Sequence, residues 1–436
     1  MDKLKKCFFF LTLLTLAIVA FYPIWSEVAV TLLFIFGIIA GYANGLPKIT
    51  KQKSVLPLLM LAFFVIVAFS LIVSSNKADG IDNLHTYIPF VALPVLAMLH
   101  QNNLSDNKIQ LLKVLSGGIM AASAICLVLA VWRSFYLIDG HVVFNPYIGY
   151  RNQFVYTYLS VFQYTNTFAM MTVFVVAAMI WALMFRDVKQ HKWMIYTAIG
   201  LSILMIFLLS SRTNVYALFA VLYYSVVIFY IRFKKLIHSL LLLVGVTGLF
   251  WVFQTCNYRV MNLSQTVTSY ITEEDVTMDN GYVIKHPEKI ENVNIRFQMW
   301  ETGFKIAKRY WLQGCGIGDF KNMLHTEYGQ DGIQEAYEKG YDQHNQYLET
   351  LGTTGILGFL MLLAIMGYAL YQSWRHRNYL LFCSLLTLAL NMLLESMFNR
   401  YSGSLFFVLS LLLASAIGGE TQKDADANVD KNAVTE

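Results

Sequence analysis

The sequence predicts an all-α integral membrane protein with about twelve transmembrane helices and one large, mainly helical loop between the ninth and tenth. Hydrophobic residues make up 57% of the 436 residues and charged residues 14%, whereas soluble domains carry roughly 25% charged residues. Apolar residues fall into long runs, and basic residues gather in alternate connections between those runs. The bilayer must therefore serve as solvent for much of the chain. The net charge of +5 reflects anchoring basic residues and gives no reason to expect nucleic-acid binding.

Each apolar run approaches the roughly 20 residues that cross a bilayer as a helix. The first follows three lysines, as in a signal peptide, but no small-residue cleavage site comes after it, so we expect a retained helix. The fourth is short and contains Pro89 and Pro94, which makes it the least regular. The predicted spans are 8–24, 27–45, 54–74, 86–100, 111–135, 166–185, 193–210, 213–231, 236–254, 351–373, 378–397 and 402–418.

Basic residues assign the two sides of the membrane. The connections that carry them define the cytoplasmic side, and twelve spans then place both termini there. The polar tail lacks aromatic residues and is predicted to be disordered. The basic connections hold Lys3, Lys5, Lys6, Lys48, Lys51, Lys53, Lys108, Arg186, Lys189, Lys192, Arg232, Lys234, Lys235, Arg375 and Arg377. The chain thus divides into spans one to nine (1–254), the loop (255–350), the last three spans (351–418) and the tail (419–436).

The loop lies on the opposite, outer face and is too polar to span the membrane. Its first part, up to Asp279, is predicted to be irregular. Apolar residues from Asn294 to Tyr310 recur with helical spacing. Three alternate glycines then predict a turn, and a second helix is expected from Tyr341 to Leu351, where it feeds the next span. The glycines are Gly314, Gly316 and Gly318.

Arg212 is the first candidate for chemistry, because it lies between two spans with almost no loop. A guanidinium at a membrane boundary is costly unless it is paired or faces water. Its planar donors suit phosphate oxygens. The alternative is an arginine that extends to lipid headgroups.

Two further candidates, Arg296 and His344, lie in the loop. Arg296 precedes Trp300 by one helical turn, so both occupy one face; a solvated arginine beside a core tryptophan is the alternative. The unperturbed pKa of histidine suits proton transfer near neutrality, and Asp342 or Glu349 lies close enough in sequence to orient His344. A histidine that merely belongs to a polar loop is the alternative.

Weaker candidates are isolated cations on the face that the positive-inside rule leaves poor in basic residues. Together with Arg212 they predict a convergent anion site, and surface solvation or headgroup contact is the alternative for each. Asn166 and Asn345 are candidate hydrogen-bonding partners, with a purely structural role equally open. The isolated cations are Lys77, Arg133, Arg151 and Arg400.

No metal or cofactor is expected. The five cysteines show no CxxC spacing, which is the commonest sign of a metal or redox site. Asp139, Asp275 and Asp279 lie apart in candidate loops. Cys256 and Cys315 both fall in the loop, and a disulfide between them remains open.

Several short motifs, taken in their order along the chain, resemble the signature region of the O-antigen ligase and polymerase superfamily. The stretch around Asn166 resembles the family's asparagine-containing start of a spanning helix, and Ser211-Arg212 its short link between two spans. The motifs cover about residues 150–360, and the predicted topology covers the whole chain. The loop motifs are Arg296…Trp300, Gly314-Cys315-Gly316-Ile317-Gly318-Asp319-Phe320, His344-Asn345-Gln346-Tyr347-Leu348-Glu349 and Gly352…Gly355…Gly358.

The resemblance implies a glycosyltransferase of the bacterial inner membrane whose site faces the periplasm. It implies transfer of a glycan from undecaprenyl diphosphate to a sugar hydroxyl of lipid A–core, without a metal. The family's two essential arginines and its histidine correspond to Arg212, Arg296 and His344. The arginines would stabilise charge on the leaving diphosphate, and His344 would take the acceptor proton in an inverting displacement.

Several alternatives stay open. An O-antigen or surface polysaccharide polymerase shares the donor, and a protein O-oligosaccharyltransferase differs in its acceptor. A transporter of lipid-linked sugars belongs to another class, and transporters tend to place charges near the midplane and to show two similar halves. A non-enzymatic scaffold would not need arginines and a histidine on one face. The nearly charge-free spans and the one-sided polar residues favour an enzyme.

Overall fold

The structure, a computed structural model, describes residues 2–43, 51–138, 141–148, 151–186, 188, 191–256, 276–277, 283–284 and 291–417. The described residues are predominantly helical, as expected. The predicted disordered tail and nearly all of the predicted irregular part of the loop lie outside them.

Seven helices form the first part of the bundle. A bend of 41° separates α4 from α5, and it lies just before Pro89, at the irregular fourth span. The helices are α1 (Asp2–Ile18), α2 (Pro23–Ala43), α3 (Lys51–Val73), α4 (Lys77–His85), α5 (Pro89–Leu99), α6 (Gln101–Asp106) and α7 (Lys108–Arg133).

Short hairpins follow α7, which the sequence analysis did not predict. Strands β1 (Phe135–Ile138) and β2 (His141–Phe144) pair antiparallel, with Phe135 opposite Phe144. Strands β3 (Tyr147–Ile148) and β4 (Arg151–Asn152) form a second antiparallel pair. Within the large loop, β5 (Val276–Thr277) pairs with β6 (Val283–Ile284).

The remaining helices complete the bundle and the loop. Helix α12 agrees with the helix predicted from Asn294 to Tyr310, whereas α13 and α14 were not predicted. The helices are α8 (Thr165–Phe185), α9 (Lys192–Leu209), α10 (Arg212–Phe233), α11 (Leu236–Cys256), α12 (Glu291–Arg309), α13 (Phe320–Gln330), α14 (Gln334–Lys339), α15 (Gln346–Arg375), α16 (Tyr379–Leu394) and α17 (Tyr401–Ile417).

Helix α8 is the centre of the bundle. It is apolar on every side, which is typical of a helix without a solvent-facing surface, and most of its residues are buried. It packs against α9, α10 and α16. Helix α11, by contrast, leaves Leu241, Val244 and Trp251 exposed. An outer surface of this kind is suited to lipid and not to water.

Among the described residues, eight helices are long and apolar enough to cross a membrane, and nine if the bent pair α4–α5 is one span. A helix overlaps each of the twelve predicted segments, but α1, α16 and α17 are shorter than 18 residues. The chain is therefore a multi-pass helical protein, and the twelve crossings stay a prediction. The first predicted span is displaced, because α1 ends at Ile18 and Pro23 already begins α2.

Candidate functional site

His344 occupies the short segment between α14 and α15. Its φ is 49°, a left-handed conformation that non-glycine residues adopt at a cost. The Asp342 carboxylate accepts the His344 backbone N–H at 2.9 Å, which holds this turn. Asn345 then caps α15, since its side-chain oxygen accepts the Leu348 N–H at 3.0 Å. The predicted helix from Tyr341 is therefore wrong for its first five residues, because these two side chains stabilise a turn in their place.

Glu395 joins His344 to Arg296. One carboxylate oxygen lies 3.1 Å from His344 Nδ1, and the other lies 3.5 Å from Arg296 Nη2. His344 and Glu395 are largely buried, with side chains 20% and 15% exposed, whereas Arg296 is 38% exposed. The two loop residues picked out by the sequence thus share one carboxylate. We call His344, Arg296, Glu395 and Asp342 the His344 cluster.

The cluster determines how His344 exchanges its proton. Burial by itself lowers the pKa of His344, but the hydrogen bond to Glu395 and the charges of Asp342 and Glu395 outweigh it. Arg296 opposes them, and the pKa of His344 ends above its ordinary value. Because a carboxylate accepts hydrogen bonds, Nδ1 carries the proton toward Glu395. Nε2 is then left as the proton acceptor.

Glu395 was missed by the sequence analysis. It directly follows α16, which ends at Leu394, and the prediction placed it inside the apolar span 378–397. A signal was present, because an ionisable residue in a membrane segment indicates a functional site by default. The carboxylate that the analysis expected from Asp342 or Glu349 comes from two sources, since Asp342 also lies 3.2 Å from His344 Nδ1.

Glu349 borders the cluster and shares a hydrogen-bond donor, Asn399, with Asp342. The Asn399 amide donates to Asp342 at 3.4 Å and to Glu349 at 3.1 Å. Gln343 donates to the same Glu349 oxygen at 3.3 Å. Glu349 is thus held within a polar network that borders the His344 cluster, and Asn399 ties that network to the end of α16.

Three hydrogen-bonded asparagines, two of them fully buried, connect the start of α10 to the same region. Asn214 donates to the side-chain oxygens of Asn166 at 2.7 Å and Asn391 at 3.2 Å. Asn391 donates back to Asn214 at 3.0 Å. We call Asn166, Asn214 and Asn391 the asparagine triad.

The triad sets the position of Arg212 along the axis of the bundle. Asn214 follows Arg212 by two residues, and Asn391 precedes Glu395 by about one helical turn. The Ser211 hydroxyl also donates to Asn166 at 2.5 Å. The half-buried Arg212 at the start of α10 is therefore held level with the end of α16, where the His344 cluster begins.

Arg400 also belongs to this end of the bundle. Its guanidinium lies over the Tyr164 ring, 3.9 Å from the centroid, a cation–π geometry. Burial and, to a lesser degree, the charges of Glu395 and Asp342 raise the pKa of Tyr164 to about 12, against the opposing effect of Arg400. Tyr164 and Arg400 are thus within electrostatic reach of the His344 cluster.

The other weak candidates are placed differently. The Lys77 ammonium donates to the Leu71 and Ile72 carbonyls at 2.7 and 2.8 Å, so it caps the end of α3. Arg133 is exposed in the last turn of α7. Arg151 lies in β4. None of the three has a described contact with the His344 cluster.

The glycine turn fastens the loop to α15. Gly355 interrupts α15 with φ 66°, and the freed backbone pairs with the loop. Gly316 N–H donates to the Thr353 carbonyl at 3.0 Å, and Ile356 N–H donates to the Trp311 carbonyl at 2.7 Å. A side chain at Gly314 would overlap the Thr353 carbonyl.

The same turn also fastens to the end of α3. The Asp319 carboxylate accepts the Ser75 and Asn76 N–H groups at 2.6 and 2.8 Å. The Gly318 N–H donates to the Ser74 hydroxyl at 2.9 Å. Predicted only as a turn, the glycine motif is the anchor that positions α12 and Arg296.

Cysteines and metal ligands add little to the site. Cys256 is exposed and Cys315 is buried, and both are free thiols. Within the described ranges, no group of three or more His, Cys, Asp or Glu side chains is arranged to hold a metal ion.

Residues 197–363 match a family model described as O-Antigen ligase. This range contains Arg212, Arg296 and His344, whereas Glu395 and Arg400 lie beyond it. No curated protein sequence matches the chain.

Proposed function

The chain carries a domain of the O-antigen ligase family at residues 197–363, and on that premise we propose that it transfers a glycan from undecaprenyl diphosphate to a sugar hydroxyl of lipid A–core. The observation that carries the proposal is the His344–Glu395 hydrogen bond of 3.1 Å, set beside Arg296. It supplies a base, a residue that orients the base, and a cation at one place.

His344 is suited to act on the acceptor hydroxyl. A general base must accept a proton from a hydroxyl within hydrogen-bond reach, and Nε2 is the nitrogen left for this task. As the acceptor oxygen bonds to the anomeric carbon, its proton moves to Nε2. The imidazolium so formed lies beside Glu395 and Asp342, whose charges stabilise it.

The arginines are suited to the leaving group. The bond between the anomeric carbon and the diphosphate oxygen breaks, and its electron pair remains on the diphosphate. Fixed cations stabilise such developing charge strongly where water is scarce. Arg296 is held toward the cluster by Glu395, and Arg212 is held level with it by the asparagine triad. Attack from the face opposite the diphosphate inverts the anomeric carbon, and no metal takes part.

Placement in the membrane follows from the same proposal. We place the chain in the bacterial inner membrane with twelve crossings, both termini in the cytoplasm and the His344 cluster on the periplasmic side. The basic connections support this orientation. The donor's polyprenyl tail would then lie in the outer leaflet beside the site.

A reconstituted reaction tests the proposal. Purified full-length protein receives undecaprenyl-diphosphate glycan and lipid A–core in the presence of a chelator. Wild type should form the linked product with inverted anomeric configuration. His344→Ala, Arg212→Ala and Arg296→Ala should each lose at least about a hundredfold in rate, the scale of lost general-base and electrostatic catalysis.

Matched variants control for the loss of a loop histidine or arginine. His325→Ala removes an exposed histidine that stacks on Tyr337, and Arg309→Ala removes an exposed arginine paired with Glu327. Both should keep wild-type rates. Equal activity of His344→Ala and His325→Ala would refute the assignment of the base.

The products separate the alternatives. Glycan growing on the undecaprenyl carrier would identify a polymerase, and transfer only to a protein hydroxyl would identify a protein O-oligosaccharyltransferase. Movement of intact donor across vesicle bilayers without any transfer would replace the enzyme with a transporter.

A further inference from the structure

A long slot runs through the bundle away from the His344 cluster. Its volume is about 440 Å³, within the roughly 300–1,000 Å³ range of ligand sites. Aliphatic side chains of α1, α2, α3, α5, α7 and α17 form most of its wall. It does not touch His344, Arg296, Glu395 or Arg212, so the proposed reaction gives it no role.

The direction of the slot follows from the helices. Along α17 it extends from Leu405, near the loop end, to Ala416 at the other end. Eleven residues of helix span about 16 Å. The wall over that length is mostly aliphatic, which suits an extended hydrocarbon chain, and we call this stretch the bore.

The two ends of the slot differ in polarity. Toward the loop it is lined by apolar residues such as Val19 and Val30. At the opposite end it is lined by Lys108, Gln372 and His376, together with Asn378. None of the described residues that line the slot is acidic.

One polar atom at that end points to a ligand. The Gln372 side-chain oxygen is buried without a hydrogen-bond partner, although its amide donates to Tyr368 at 3.3 Å. Buried polar atoms in proteins nearly always have a partner. A donor group on a bound molecule, such as a headgroup hydroxyl, would supply it.

We infer that this slot binds one acyl chain of an anionic lipid, with the anionic headgroup at Lys108. The chain fills the aliphatic bore, and the headgroup meets a cation where the slot reaches the basic end of the bundle. Basic pockets between transmembrane helices on the cytoplasmic side are typical sites for anionic headgroups. The inference stands whether or not the proposed transfer reaction is correct.

Native mass spectrometry of the full-length protein in detergent tests this site. The probes are dipalmitoyl phosphatidylglycerol, dipalmitoyl phosphatidylcholine and palmitate. Wild type should bind one phosphatidylglycerol more tightly than all later ones and in preference to phosphatidylcholine. Displacement of the first phosphatidylglycerol by palmitate would support the slot as the site of the hydrocarbon chain. Tight binding of palmitate without tight binding of phosphatidylglycerol would overturn the phospholipid as the occupant.

Two variants address the bore and the headgroup separately. Leu409→Trp fills the slot from α17 and should weaken the first binding step at least tenfold. Leu360→Trp, the control, places the same side chain at an exposed position of α15 and should bind as wild type. Lys108→Gln should lower the preference for phosphatidylglycerol over phosphatidylcholine about fivefold, the effect of roughly one basic residue near a membrane surface. Lys113→Gln, at an exposed position of α7, should not.

The outcomes are decisive in both directions. Unchanged binding by a folded Leu409→Trp protein would overturn the slot as the site, and so would equal binding of both phospholipids by wild type. If Leu409→Trp does not fold, the comparison of Lys108→Gln with Lys113→Gln still decides, because both changes keep a long polar side chain at the position.

Discussion

Glu395→Gln is the most informative single change at the proposed site. Glutamine keeps the shape of the side chain but removes the charge that His344 Nδ1 and Arg296 share. The introduced amide has two chemically different ends, so the side chain no longer fixes the Nδ1–H tautomer of His344. The change therefore tests whether Glu395 orients and strengthens the base.

The expected loss can be worked from the contacts. The 3.1 Å bond joins two largely buried groups, and a hydrogen bond to a charged group contributes about 1.5–3 kcal/mol. At about 1.4 kcal/mol for each tenfold change in rate, its loss lowers kcat/KM between about tenfold and a hundredfold. The 3.5 Å contact with the partly exposed Arg296 adds about 1 kcal/mol at most.

The pH profile gives a second readout with a definite sign. A general base works in its neutral form, so activity should rise with pH through the pKa of His344, which lies above the ordinary value. Glu395→Gln removes two of the influences that raise this pKa. The rising limb of kcat/KM against pH should therefore move to lower pH, while the plateau falls.

The assay is initial-rate transfer over a range of pH in the reconstituted system. Glu335→Gln is the matched control, because Glu335 pairs with Lys339 on the loop surface and should change neither rate nor profile. A Glu395→Gln enzyme with a wild-type plateau and limb would show that Glu395 does not act through His344.

Two further changes test the supports of the site. Gly355→Ala should lower the thermal midpoint by a cost of about 1–3 kcal/mol, because φ 66° is strained for alanine and its Cβ would overlap a loop carbonyl. Gly367→Ala in the same helix, where nothing lies within 4 Å, should leave the midpoint unchanged. Equal midpoints for the two variants would contradict the role of Gly355 as part of the anchor. Asn214→Ala should cost about 1–3 kcal/mol by leaving buried amides unsatisfied and should lower transfer along with stability, measured by denaturation and initial rates. Asn322→Ala, at an exposed position of α13, is the control. An Asn214→Ala protein as stable and as active as wild type would show that the asparagine triad is not needed to hold Arg212.

Sequence reasoning reached those parts of the site that are marked by unusual residues in unusual places. Arg296 and His344 stand out in a polar loop, and Arg212 stands out between two apolar spans. Their convergence was inferred from one side of a predicted membrane. Glu395 supplies the contacts between His344 and Arg296, and the asparagine triad holds the start of α10, where Arg212 lies. Lys77 looked equivalent by the same criterion, but its ammonium is used by two carbonyls at the end of α3.

The remainder depends on contacts between residues far apart in the chain. Glu395 lies 51 residues from His344, and Asn391 lies 177 residues from Asn214. Hydropathy placed Asn391 and Glu395 inside an ordinary predicted span, because one polar residue barely changes the mean hydropathy of an apolar segment. Helices α13 and α14 were missed because they are short and polar, and therefore contain too few apolar residues to show helical periodicity.

The anchoring of the glycine turn at two places has a consequence for turnover. Residues 311–319 are bonded on one side to the break in α15 and on the other to the end of α3. A segment pinned at both α3 and α15 behaves as a fixed wall and not as a lid. We therefore expect that no large gate opens at this wall during successive rounds of the proposed transfer.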